Sequence, residues 1–315
     1  MRVVFFGTPE FAVPSLRALL GEGFDVLAAV TQPDRPQGRS RSQVVPPPVK
    51  VEAEAEAIPV LQPERPTERG FLNRLRELAP DVGVVVAYGH ILKPELLRLP
   101  PRGMVNVHPS LLPELRGAAP VEWAILNGVA RTGVSIMQLD EDLDSGPILL
   151  QIPHTIEPDE TGGELSAHLA EIGAQALVEA LALWERDALR PVPQDHARAT
   201  YAPKLTRDTA RIRWDDPAER VARLIRGLDP KPGAWTTLPG DGKRETGNGE
   251  LKLFGVRVEE GHGAPGEVLT ADGRLLIATG SGAVEVAEVQ PAGKVRMAVA
   301  DWVRGRGVQA GQRFA

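Results

Sequence analysis

Asn106 and His108 stand two residues apart in "GMVNVHPSLLPELRG" (103–117), directly ahead of Pro109. Alternation along a strand puts residues i and i+2 on one face. The amide and the imidazole should therefore point one way while Val105 and Val107 point the other. Pro109 lacks an N–H and biases His108 toward an extended backbone, which ends the strand and leaves both polar groups at its tip. A second polar cluster lies in "MQLDEDLDSGPIL" (137–149), an acidic turn that offers Asp140, Glu141, Asp142 and Asp144 ahead of a Ser-Gly pair. A carboxylate beside an imidazole holds its tautomer. An amide and an imidazole together can donate hydrogen bonds to a developing oxyanion. There is no G-x-S-x-G serine elbow and no second histidine at ligand spacing. An Asn–His–Asp set without a nucleophile points to direct acyl transfer between two bound substrates. Strand-end histidines and acidic turns are also ordinary structural features, and residue types alone leave both Asp142 and Asp144 open.

The elements that position these groups alternate between strand and helix. "RVVFF" (2–6) is a continuous apolar run of the kind buried on both faces of a sheet. "FAVPSLRALLGEG" (11–23) reads as a helix and "FDVLAAVTQ" (24–32) as a second strand. Helical patterns follow near 47–57 and 67–78. Further strands are expected at 81–89, 103–108, 132–140 and 148–156. A helix over 118–128 has Pro120 near its first turn, and a long one covers 161–187. This alternation predicts an open, mostly parallel α/β sheet, in which ligands bind beyond the carboxyl ends of the strands. His108 stands at such an end. Residues 188–205 lose all periodicity and read as a linker. After a short helix at 216–227 the pattern changes to short strands separated by glycine-rich turns, as in a small barrel. The expected domains are thus 1–187, the linker 188–205, and 206–315.

Of the 315 residues, 42% are hydrophobic and 25% charged, the balance of a globular protein. The absence of cysteine excludes disulfides, thiolate metal sites and a cysteine nucleophile. No apolar run approaches the ~20 residues that cross a bilayer, and the amino terminus meets Gly, Pro and Glu too early for a signal peptide, so a cytoplasmic protein is expected. The net charge is −6, yet residues 206–315 hold 17 Lys/Arg against 15 Asp/Glu, a local +2. A glycine after the first strand invites a dinucleotide-binding reading, but G-x-G-x-x-G is missing.

"NVHPSLLPELRGAAP", followed about 30 residues later by "TGVSIMQLDEDLDSGPIL", resembles the formyltransferase family that uses 10-formyltetrahydrofolate. The likeness spans the chain, from "VVFFGTPEFAVPSL" through "TQPDRPQGR" to the linker and barrel. It implies a Rossmann-like catalytic domain followed by an OB-like β-barrel. It also implies a catalytic trio of Asn106, His108 and Asp144, its "LD-S/T-G" register selecting Asp144 over Asp142. Ser110, Leu111, Leu112 and Pro113 would line the formylfolate site, with Tyr88 and Gly89 on the pterin side, although packing is an alternative reading of Tyr88. The acceptor implied is the free α-amine of initiator methionyl-tRNA, with 10-formyltetrahydrofolate as co-substrate and no metal. Arg35, Arg39 and Arg41, in a loop rich in Gly and Pro, would dock the tRNA, and 206–315 would bind it. The protein is expected to act as a monomer, away from membranes. Rival readings are a sugar-nucleotide N-formyltransferase, a glycinamide ribonucleotide formyltransferase, a formylfolate hydrolase and a non-catalytic RNA-binding protein. About 110 residues beyond the linker disfavour the glycinamide enzyme, and few aromatics in the barrel disfavour the last.

Overall fold

The computed structural model describes residues 1–37, 43–238, 249–306 and 308–315. Contacts divide the chain into two units, residues 1–120, 131–155 and 166–202 in the first, and 121–130, 156–165 and 203–315 in the second.

In chain order the strands of the first unit are β1 (Arg2–Gly7), β2 (Asp25–Val30), β3 (Arg35–Gln37), β4 (Gln43–Val45), β5 (Val60–Leu61), β6 (Val82–Val86), β7 (Met104–His108), β8 (Arg116–Gly117), β9 (Arg131–Gln138), β10 (Ile148–Thr155) and β11 (Tyr201–Ala202). Seven of them form one sheet in the order β10-β9-β7-β6-β1-β2-β5. All neighbours from β7 to β5 run parallel, whereas β9 is antiparallel to both β7 and β10. The expected open, mostly parallel α/β sheet is present. Its central strands are apolar because both faces are covered: Val3 to Phe6 of β1 and all of β6 are buried.

Parallel neighbours need crossovers, which helices supply. Helix α1 (Val13–Gly21) starts with proline in its first turn and buries Leu16 and Leu19. It is followed by α2 (Pro48–Ala55) and α3 (Arg69–Leu78). The latter turns Phe71, Leu72 and Leu75 inward. A single turn, α4 (Pro94–Leu97), leads to β7, and most of α6 (Gly162–Glu185) also belongs to this unit, whereas α5 (Pro120–Leu126) falls almost wholly in the second. The chain winds to one side of β1 through β2 and β5, then to the other through β6 and β7. In sheets of this kind ligands bind beyond the carboxyl ends of the strands, where such a reversal falls.

Residues 188–205, read from sequence as a linker, are aperiodic but largely fastened. Val192 exchanges two backbone hydrogen bonds of 2.8 Å with Ile148, Gln194 is buried, and β11 pairs in parallel with β8. The first unit runs through to Ala202.

The second unit contains α7 (Ala218–Gly227), β12 (Ala234–Thr237), β13 (Glu250–Glu259), β14 (Val268–Ala271), β15 (Leu275–Ala278), β16 (Ala283–Pro291), β17 (Met297–Ala298) and α8 (Val299–Arg306). Its antiparallel sheet follows the order β12-β13-β16-β15-β14, with β17 branching from β16. Extended segments cover both outer strands through bridges at Arg211–Trp235 and Glu267–Arg313. Trp214, Ile225, Leu253, Val286 and Trp302 belong to its core. Among the described residues no helix is long and apolar enough to cross a membrane.

Candidate active site

Strand β7 carries Asn106 and His108 to the carboxyl edge of the sheet, where His108 lies opposite Ser135 of β9. Asn106 is half-buried, and its amide has no hydrogen-bond partner among the described residues. His108 is buried, with Nε2 3.0 Å from the carbonyl oxygen of Leu115. A carbonyl only accepts, so Nε2 carries the ring proton in this contact. Nδ1 faces Asp144, whose Oδ2 is 3.8 Å away. That separation exceeds hydrogen-bond length and makes the contact electrostatic.

The same Oδ2 accepts the Gly117 N–H at 2.8 Å. Asp144 has φ +49°, in the left-handed region that aspartate visits more readily than most residues. Asp142 is exposed and donates its N–H to Asp140 Oδ1, which also accepts the Ser145 hydroxyl at 2.7 Å. The turn is therefore closed by Asp140, and Asp144 is the carboxylate brought to the imidazole. Residue types had aimed both Asn106 and His108 at an oxyanion. Here the Nε2 proton is taken by Leu115, so Nδ1 is the ring nitrogen left for chemistry.

The segment 110–113 turns its polar groups inward. The Ser110 hydroxyl donates to the Glu114 carbonyl at 2.6 Å, and the Leu112 N–H donates to Ser135 Oγ at 3.0 Å. Gln151 Nε2 donates to the Leu112 carbonyl at 2.9 Å, and Ser135 Oγ donates to the Ser110 carbonyl at 2.6 Å. Leu111 and Pro113 stay half-exposed and provide a fixed apolar wall. Ser135 and Gln151 shape this wall, yet nothing in their local sequence marks them.

Tyr88 departs from expectation. Its ring is 1% exposed and packs edge-on against Phe6 at 5.5 Å, so it cannot line a ligand. Its hydroxyl is buried with no hydrogen-bond partner among the described residues, and burial pushes its pKa up to about 12. What Tyr88 contributes is its carbonyl, which accepts from Thr8 Oγ1 at 2.9 Å and Gln32 Nε2 at 3.2 Å and ties the chain beyond β1 and β2 to that beyond β6. Gly89 follows with φ +87°, and a Cβ there would collide with the Gln32 amide.

Arg35 is exposed on β3, its guanidinium donating to Gln32 Oε1. Asp34 is held by Lys50 at 2.7 Å; hydrogen bonds from Lys50 and Gln62 lower its carboxyl pKa. Arg39 and Arg41 lie outside the described residues.

The fold and the site define a class. Residues 1–181 match the family model described as formyl transferase, and residues 204–307 match the formyl transferase C-terminal domain. Two relatives described as methionyl-tRNA formyltransferases, from Roseiflexus sp. (strain RS-1) and Synechococcus sp. (strain JA-3-3Ab), are each 46% identical over the full chain and 95% and 98% of their own lengths. The chain belongs to the methionyl-tRNA formyltransferase family. Solved structures at lower identity share the fold. An N-formyltransferase from Helicobacter canadensis in complex with folinic acid and dTDP-3-aminofucose has a TM-score of 0.67 at 17% identity, over 92% of this chain and 98% of its own. HypX from Aquifex aeolicus in complex with tetrahydrofolic acid has 0.66 at 21% identity over 98% of this chain. This chain spans 48% of HypX, about half its length.

Proposed function

We propose that the protein transfers the formyl group of 10-formyltetrahydrofolate to the α-amine of methionyl-tRNA. The observation that carries this reading is the unspent Asn106 amide beside the His108–Asp144 pair, at the carboxyl edge of the sheet in a chain of this family.

The residues fit such a donor: Leu111 and Pro113 offer apolar surface for a flat ligand, and Asn106 offers a free hydrogen-bond donor. When bound, the folate supplies an activated formyl group on N10. The Asn106 amide then donates to the formyl oxygen as negative charge grows there. His108 Nδ1, bearing the free lone pair of the neutral ring, accepts the proton that the attacking amine loses. The imidazolium so formed lies 3.8 Å from the Asp144 carboxylate, which offsets its charge. The new C–N bond replaces the bond to N10, and the proton is returned to N10. Holding amine and formyl carbon together removes a bimolecular entropy cost.

Catalysis is assigned to the first unit, and recognition of tRNA to residues 206–315 together with Arg35, Arg39 and Arg41. The protein works as a monomer in the cytoplasm. A sugar-nucleotide acceptor is the alternative, but full-length identity of 46% to methionyl-tRNA enzymes supports tRNA. The test is direct: purified protein, 10-formyltetrahydrofolate and initiator methionyl-tRNA should give formylmethionyl-tRNA, and turnover of amino-sugar nucleotides in its place would overturn the reading. Crosslinks from bound tRNA should map to 206–315.

A further inference from the structure

We infer that residues 192–202 form a positioning strap that fixes both His108 and Asp144, with Gln194 and Thr200 as its two working side chains. Neither touches the reacting atoms; each acts through the backbone that holds a catalytic group.

The first arm is Gln194. It is buried, and its Nε2 donates to the carbonyls of Asp144 at 2.9 Å and Gly146 at 2.7 Å. Its Oε1 accepts from Arg116 Nε at 3.2 Å and Nη2 at 2.6 Å. Arg116 is itself buried, and its Nη2 reaches His196 Nδ1 at 3.1 Å. An amide is the one side chain that can donate twice and accept twice in this place. Glutamate would keep the Arg116 contact and lose both donors. Gln194 thus grips the acidic turn on either side of Ser145, where Asp144 holds a left-handed conformation rare for non-glycine residues.

The second arm is Thr200. Its Oγ1 accepts the Leu115 N–H at 2.8 Å, its N–H donates to the Pro113 carbonyl at 3.3 Å, and its carbonyl accepts the Arg116 N–H at 2.9 Å. Leu115 is also left-handed, at φ +57°, and its carbonyl is the partner of His108 Nε2. Two residues on, β11 lies so close to β8 that a Cβ on Gly117 would stand 2.7 Å from the Ala202 carbonyl oxygen. The Gly117 N–H is the donor to Asp144. Both anchors of the catalytic pair, the Leu115 carbonyl and the Gly117 N–H, are therefore held by the strap. Such support is what keeps catalytic groups within the small tolerance that chemistry demands.

The kinetic side of this inference rests on the proposed formyl transfer, so the test also reads the imidazole itself. In the full chain, T200V removes the hydroxyl acceptor at near-constant volume, T200S keeps it, and Q194E keeps the anchor to Arg116 while removing the two donors. T200V and Q194E should each lower kcat about ten- to a hundredfold, with KM for formylfolate changed by less than about twofold. T200S should recover the turnover. Ring nitrogen and proton NMR signals of His108 should shift in T200V and return in T200S. A merely structural strap would instead lower the melting temperature and leave kcat per folded molecule and the ring signals unchanged, and that result overturns the inference. If the wild-type protein makes no formylmethionyl-tRNA, the proposed function fails, and the ring signals still decide the strap.

Discussion

His108 and Asp144 face each other across 3.8 Å, and each is anchored on the same short backbone segment. The Leu115 carbonyl holds Nε2 at 3.0 Å and the Gly117 N–H holds Oδ2 at 2.8 Å. One turn of chain, 115–117, thereby sets the tautomer of the imidazole and the direction of the carboxylate. The arrangement leaves Nδ1 and the Asn106 amide without a hydrogen bond among the described residues, and the proposed reaction gives them separate roles, proton acceptor and oxyanion donor, that residue types alone had assigned jointly.

Substitution of the trio should separate chemistry from folding. N106A should cost about a hundred- to a thousandfold in kcat, the usual effect of losing one oxyanion donor. H108A and D144A should lose at least as much. Asp142 is exposed and, among the described residues, bonded only within its own turn, so D142A should stay within a few-fold of wild type. Steady-state kinetics with melting curves check this; equal losses at 142 and 144 would contradict the placement of the turn.

Tyr88 should set part of the alkaline limit of stability. Its pKa rises from about 10 in the unfolded chain to about 12 in the fold, because burial disfavours the phenolate. Between those values the folded state binds the extra proton, so stability falls as pH rises through that window. The loss is on the order of 2–3 kcal/mol by pH 12. Y88F should abolish this component and, by removing a buried hydroxyl that has no partner among the described residues, should be neutral or stabilising at pH 7. Urea melts from pH 8 to 12 on both proteins provide the comparison.

Replacing Arg35, Arg39 and Arg41 with alanine should raise KM for tRNA and leave that for formylfolate unchanged. Each lost phosphate contact should flatten the slope of log K against log salt by roughly 0.7–0.9. Binding measured at several salt concentrations tests it, and an unchanged slope would return recognition to the second unit alone.

In the second unit Asp229 is buried and paired with Arg296 at 2.7 Å, while Arg296 also stacks over Phe254 at 4.2 Å. Partial burial works against the charge of the Arg296 guanidinium, yet the hydrogen bonds it donates to Asp229 and Glu288 leave its pKa raised. D229A removes the buried partner but leaves Arg296, a third exposed, bonded to Glu288, and should destabilise by about 1–3 kcal/mol. Chemical denaturation reads the loss.

The strand tip that presents Asn106 and His108 was determined by sequence alone. Alternation and the missing N–H of Pro109 are local constraints, and local constraints leave a period or a break that can be read. The same holds for β1 and β6, whose unbroken apolar runs demand cover on both faces, and for α3, whose buried residues recur at helical spacing. The short strands and glycine-rich turns after residue 230 likewise announced a second, all-β domain, read as a small barrel; its antiparallel strand order came from the structure. The tertiary structure alone decided which ring nitrogen is free, which aspartate meets it, and that Tyr88 serves the core. It also packed residues 192–202 against the segments that carry Asp144 and Leu115. Gln194 reaches Asp144 across 50 residues and Thr200 reaches Leu115 across 85. Such hydrogen bonds join two aperiodic segments, so neither segment carries a pattern that reveals the other. They exist only once the sheet has assembled and brought the two segments within bonding distance.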